Sequence, residues 1–215
     1  MQLTPLKPLF TALNWLAFIG WSYVLYNFLV TATDKSSSNN SSQVVDRVTP
    51  IITGLEGICC VEVLRITVGD LPGNLLLGSI LHAIRFTTLF AIIPRIPSEH
   101  WTGPVILAGW AVTEVSRYPM YMFPTNDMCR SVRMVVPLVT FPVVSFSEAA
   151  GAFIVLLDPA CPIWLRFILL GMLYVNVWMG PTMAFPALLK KGLPVLGLAK
   201  NSNEKRRAER PKKTN

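Results

Sequence analysis

Charged side chains are scarce in this sequence: Asp, Glu, Lys and Arg make up 14% of its 215 residues, against 52% hydrophobic residues. An ordinary water-soluble domain carries about 25% charged residues, so this balance excludes one. Histidine is limited to His82 and His100, which are too isolated to suggest a metal site. The four cysteines, Cys59, Cys60, Cys129 and Cys161, fit neither a disulfide framework nor a zinc pattern. No Gly-rich phosphate loop occurs, and no loop is long enough to hold a separate soluble domain. The lack of an internal repeat argues against a transporter built from matched halves.

Long apolar runs are what the chain has in quantity. Six reach the roughly 18 residues that cross a ~30 Å hydrocarbon layer, at about 11–33, 48–68, 74–94, 101–122, 133–157 and 163–187. They predict an all-α, polytopic membrane protein, a six-transmembrane-helix bundle over residues 1–189 followed by a basic disordered cytosolic tail, 190–215. The first run is too long for a removed signal peptide and lacks a small-residue cleavage site.

Six spans put both termini on one side, and short loops rich in lysine and arginine stay in the cytosol. That side holds Lys7, Arg130 and the tail KKGLPVLGLAKNSNEKRRAERPKKTN, whereas Lys35, Arg47, Arg95 and Arg166 opposite are offset by Asp34, Asp46, Glu99 and Asp158. Both termini are therefore expected in the cytosol, with DKSSSNNSSQ and its overlapping glycosylation sequons at Asn39 and Asn40 on the other side. The net charge of +7 is concentrated in a tail without aromatic residues, which predicts contact with anionic lipid headgroups and no nucleic-acid binding. Its ending, KKTN, places Lys212 and Lys213 at the spacing of a dilysine signal for retrieval to the endoplasmic reticulum.

Cys59 and Arg65 have the spacing of the Cys-x5-Arg signature of tyrosine phosphatases. That chemistry needs a loop of free backbone N–H groups around a phosphate, and here the residues fall inside an apolar helical run whose amides are bonded already. Phosphatase activity is not expected.

Ionisable residues inside the spans carry more information, because each costs at least ~2.5–3.5 kcal/mol at mid-bilayer and turns to the bundle interior. They are Glu56, Glu62, Arg65, Arg85, Glu114, Arg117, Arg133 and Glu148, and they predict a polar cavity enclosed by helices. Glu62 with Arg65 and Glu114 with Arg117 are each one turn apart, so pairing within each helix is the structural alternative. On the fifth span, Phe141 and Glu148 fall within about 20° of each other and ~10.5 Å apart along the axis. Ser145 shares that face and Arg133 lies near it, while Pro137 and Pro142 are expected to kink the helix and open space beside it.

These motifs resemble the very-long-chain (3R)-3-hydroxyacyl-CoA dehydratases of the endoplasmic reticulum, a family also called protein tyrosine phosphatase-like. NWLAFIGWSYVLY, Asn14 to Tyr26, is similar to the family's opening span. VEVLRITVGDLP, Val61 to Pro72, resembles its Leu-Glu-x-x-His stretch and the following Gly-x-x-Pro, with Arg65 at the histidine position. Arg85 stands at the place of a family arginine, and WAVTEVSRYPMY, Trp110 to Tyr121, resembles the motif Trp-x-x-Thr-Glu-x-x-Arg-Tyr-x-x-Tyr.

The resemblance implies the third step of fatty-acid elongation, loss of water from a (3R)-3-hydroxyacyl-CoA to give the trans-2-enoyl-CoA. It implies no metal or organic cofactor, and as partners the acyl-CoA substrate, membrane lipid and other elongase components. Family enzymes use a tyrosine, a glutamate seven residues later and an arginine eight residues before the tyrosine; these positions are Phe141, Glu148 and Arg133 here. Phenylalanine transfers no proton. Ser145, Tyr118 or Tyr121 is then the candidate substitute, or Glu148 acts alone, or the chain is an acyl-binding or elongase-associated regulatory subunit. A Tyr or Ser oxygen beside Glu148 favours the enzyme, and a gap filled by Phe141 and Phe146 favours the subunit. Arg85, Arg117 and Arg133 are the candidate contacts to anionic CoA phosphates.

Overall fold

A computed structural model describes residues 7–33, 40–69, 74–97 and 99–198. Asn39, the side chain of Asn40, Pro72, and residues 199–215 with Lys212 and Lys213 lie outside the described residues. Helices follow one another throughout: α1 (Lys7–Thr33), α2 (Asn40–Thr67), α3 (Leu75–Thr87), α4 (Thr102–Met122), α5 (Asp127–Leu157), α6 (Ile163–Tyr174) and α7 (Phe185–Gly192). α3 runs on as π-helical turns over Thr88–Ile92, and a longer π-helical segment, Val175–Ala184, joins α6 to α7. The elements thus form six helical rods on the six apolar runs, and the described residues include no strand.

Only four of these rods are long and apolar enough to cross a membrane by length and composition: Pro8–Thr33, Leu75–Ile92, Asp127–Leu157 and Ile163–Gly192. α2 and α4 do not meet that measure, so four of the six expected spans are met on length and composition. α2 carries Asp46, Arg47, Glu56, Glu62 and Arg65, and α4 dilutes its apolar residues with Thr, Gly, Pro, Ser and Tyr as well as Glu114 and Arg117.

Local chemistry sets the helix ends. Asn126 Oδ1 accepts from the backbone N–H groups of Met128 and Cys129, so α5 starts at Asp127, six residues before the apolar run. Asn74 caps α3 through Leu77 N. α2 ends where Gly69 adopts φ +76, a left-handed conformation that glycine takes without steric cost. α5 stays helical through Pro137 and Pro142. α7 carries Lys190 and Lys191 on to Gly192, so helix continues past residue 189.

α4 packs between α1 and α5 and also touches α2. Its closest approach is to α5, where Gly109 has no room for a side chain: a Cβ there would overlap Val144. Cross-contacts run in opposite order, Trp110 with Glu148, Thr113 with Thr140 and Met120 with Arg133, so the two helices are antiparallel.

Polarity is inverted relative to a protein folded in water. Glu56, Glu114 and Arg85 are 0%, 1% and 3% exposed, whereas Phe167 and Phe146 are 70% and 69% exposed. Apolar rods outside and charges inside suit a hydrocarbon surrounding, and the chain is a membrane protein.

Candidate active site

α5 presents Phe141, Ser145 and Glu148 on one face, and the π-helical segment after α6 lies opposite. A Cβ placed on Gly180 would stand 3.3 Å from Phe141 Cζ and 3.5 Å from Ser145 Oγ, which puts both side chains against that glycine. Asn176, on the same π-helical segment, links the face together. Its Nδ2 donates to Glu148 Oε2 at 3.1 Å, and its Oδ1 and backbone oxygen accept from Ser145 Oγ at 3.2 and 3.0 Å. A π-helical turn widens the rod locally, so the space beside α5 is shaped by its partner.

The other Glu148 oxygen, Oε1, accepts from Trp110 Nε1 of α4 at 2.9 Å. Glu148 is thus buried between three elements, with one neutral N–H donor on each oxygen. A carboxylate oxygen has two acceptor sites, so each keeps one for a substrate proton.

Each candidate substitute for the missing tyrosine has a definite place. Ser145 reaches Glu148 through Asn176. Tyr118 is fully buried, its hydroxyl 3.3 Å from Cys59 Sγ and 3.4 Å from Arg117 Nη2, in the contact between α2 and α4. Tyr121 lies edge-on to Tyr118 with ring centroids 6.1 Å apart. Phe141 stacks on Phe185, centroids 6.3 Å apart. Phe146 does not line this gap: it faces outward and stacks on Trp101, because residue 146 falls on the far side of α5 from Glu148.

The remaining charges do not line an open cavity; they close on one another. Arg117 Nη2 lies 3.2 Å from Glu62 Oε1 and 2.7 Å from Glu114 Oε2, and Arg85 Nη2 lies 2.8 Å from Glu114 Oε1. Arg85 Nη1 also pairs with Glu56 Oε1, whose other oxygen is 2.9 Å from His82 Nδ1. Three carboxylates, two guanidinium groups and an imidazole thereby tie α2, α3 and α4 together. Glu114 and Arg117 pair as their spacing predicts, whereas Glu62 takes a cation from α4, and Arg65 lies 4.0 Å over the Phe10 ring.

The arginines expected to share one role separate. Arg85 and Arg117 are engaged with buried carboxylates, so neither is presented at a mouth. Arg133 is half-buried, its Nη1 3.2 Å from Met120 Sδ and its guanidinium 5.1 Å from the Tyr121 ring centroid. The Cys59–Arg65 spacing lies wholly within α2, the context that excludes a phosphate loop. Among the described residues no group of three His, Cys, Asp or Glu is placed to hold a metal ion.

Sequence reasoning missed His82, Trp110 and Asn176. Trp110 opens the quoted Trp-x-x-Thr-Glu motif, a position available as a signal; Asn176, a polar residue in an otherwise apolar run, was the other available sign. No curated protein and no solved structure matches the chain. Residues 57–157, from the middle of α2 to the end of α5, match the family model described as protein tyrosine phosphatase-like protein, PTPLA. Glu62, Arg85, Glu114, Phe141 and Glu148 all fall in that segment, which is similar to the PTPLA family, the family of very-long-chain 3-hydroxyacyl-CoA dehydratases.

Proposed function

We propose that the protein is a very-long-chain (3R)-3-hydroxyacyl-CoA dehydratase of fatty-acid elongation, a hydro-lyase that crosses the endoplasmic reticulum membrane six times with both termini in the cytosol. The observation that carries this reading is the buried Glu148 carboxylate, each oxygen held by a nitrogen donor and each with an acceptor site left, inside the family-matched segment. The substrate's thioester acidifies the C2 proton, and Glu148 takes it. The C3 hydroxyl needs a proton to depart as water. Phe141 has none to give, Ser145 is turned to Asn176 and Tyr118 to Cys59 and Arg117.

Glu148 therefore serves both carbons in turn. It accepts the C2 proton and delivers it to the hydroxyl on the same face, so water leaves, the C2–C3 double bond forms and the carboxylate is restored. Stacked Phe141 and Phe185 offer an apolar wall to the acyl chain. Arg133, the candidate arginine without a carboxylate partner among the described residues, meets the CoA phosphates near the cytosolic mouth. Other elongase components of the same membrane are its partners.

The test is turnover of a long-chain 3-hydroxyacyl-CoA by purified protein beside Glu148→Gln and Phe141→Tyr. Wild-type turnover lost in Glu148→Gln supports the enzyme, and Phe141→Tyr is expected to raise the rate by ~10²–10⁴, the usual worth of a positioned acid or base. The packing of the Phe141 ring against Phe185 and Gly180 favours a second reading, an acyl-binding or elongase-associated regulatory subunit. An inert wild type made active by Phe141→Tyr would select that one.

A further inference from the structure

Two buried polar groups, Arg85 Nε on α3 and Thr88 Oγ1 at the start of the π-helical turns that continue it, have no hydrogen-bond partner among the described residues. Each Nη atom of Arg85 is engaged by a carboxylate, Glu56 or Glu114, so Nε is the guanidinium nitrogen left without a partner. Thr88 is fully buried and opens the π-helical turns that follow α3. Three residues apart on one rod, the two groups lie about one turn from each other. A buried donor left unmet is costly, and each such group asks for an explanation.

Register brings them to the level of Glu148. α3 and α5 are both antiparallel to α4, so they run parallel to each other; Ile92 Cγ2 lies 2.9 Å from where a Gly151 Cβ would stand. One turn back along each rod, Thr88 comes level with Ser147 and Glu148, and two turns back Arg85 comes level with Val144 and Ser145. The Ser147 hydroxyl is already spent on Val143 O. The Arg85 guanidinium lies 5.1 Å from the ring centroid of Trp110, the indole whose Nε1 holds Glu148. One indole thus separates the cation from the carboxylate.

We infer that Arg85 Nε and Thr88 Oγ1 form a two-donor seat for the thioester oxygen of the bound acyl-CoA, an inference that rests on Glu148 being the proton-accepting group. When the C2–H bond breaks toward Glu148, its electron pair moves to the thioester oxygen and leaves an enolate. Donors fixed at that oxygen stabilise the charge as it develops, and a buried site strengthens them. The enolate then re-forms its C=O bond as the C3 hydroxyl leaves with the proton. Arg85 supplies positive charge without losing its two carboxylates, and Thr88 supplies the second hydrogen bond.

The experiment is isotope-edited infrared spectroscopy of a long-chain trans-2-enoyl-CoA, labelled with ¹³C at the thioester carbon, bound to the full-length protein in lipid nanodiscs. Wild-type protein is expected to move the carbonyl band to lower frequency than in free ligand. Thr88→Val, which keeps shape and removes the hydroxyl, is expected to lose much of that movement with affinity changed less than about tenfold. Thr88→Ser restores it. Thr88 is varied rather than Arg85 because removing Arg85 strands two buried carboxylates. An unmoved band in bound wild type, or a band indifferent to Thr88→Val, overturns the seat; if Glu148-dependent turnover persists, the dehydratase reading survives alone. No binding of the enoyl-CoA overturns both.

Discussion

Glu148 is positioned by neutral donors on two different helices, so its placement depends on packing. Trp110→Phe keeps the ring and removes the Oε1 donor; loss of one buried hydrogen bond, about 1–3 kcal/mol, is expected to slow dehydration by about 10- to 100-fold in protein that still folds. Asn176→Asp sets a second carboxylate against Glu148 and is expected to impair turnover more than Asn176→Ala, as steady-state rates would show. The ion-paired residues respond differently. Arg85→Ala leaves Glu56 and Glu114 buried without that cation and is expected to cost about 3–5 kcal/mol, read as loss of monodisperse protein in detergent. Glu62→Gln is milder, because that carboxylate sits at the more exposed end of the network. The Phe141, Ser145 and Glu148 face was legible because one regular helix carries all three. Trp110, Asn176 and His82 were not, because what they touch is decided by how separate helices meet.

Among the described glycines an added Cβ has least room at Gly109, where α4 meets α5, and the most open helical glycines are Gly54, Gly57 and Gly171, with no atom within 4 Å of an added Cβ. Gly109→Ala is therefore expected to destabilise by about 1–3 kcal/mol through overpacking. Gly57→Ala is expected to be neutral or to gain up to about 1 kcal/mol from helix propensity. Thermal unfolding in detergent followed by tryptophan fluorescence compares the two directly. Helix positions were legible from the apolar runs to within about five residues, except at the starts of α2 and α5, which lie eight and six residues before their runs. The π-helical turns were not, since they arise from backbone register and leave no period in the sequence. Prolines 137 and 142 pointed to irregularity in α5, yet the irregular backbone facing Glu148 belongs to Val175–Ala184, which contains Pro181.

At the scale of the molecule, apolar rods surround a charged interior, and the proposed six-span topology makes a simple statement about sides. Single cysteines at Thr125, between α4 and α5, and at Ala160, between α5 and α6, in a background without the four native cysteines, are expected to react with an impermeant maleimide from opposite faces of a sealed microsome. Labelling of both from one face would remove the topology. The membrane class was legible from composition alone; that α2 and α4 are less apolar than the other rods was legible there too, whereas which of their charges pair was not. That pairing has a consequence for synthesis. Glu62 and its partner Arg117 are 55 residues apart, so at roughly 5–20 residues per second the acid leaves the ribosome several seconds before its cation. During that interval α2 is a poor substrate for lipid by itself. The insertion machinery must shelter it until α4 arrives, which makes α4 the helix whose delay or truncation would leave the nascent chain exposed to quality control.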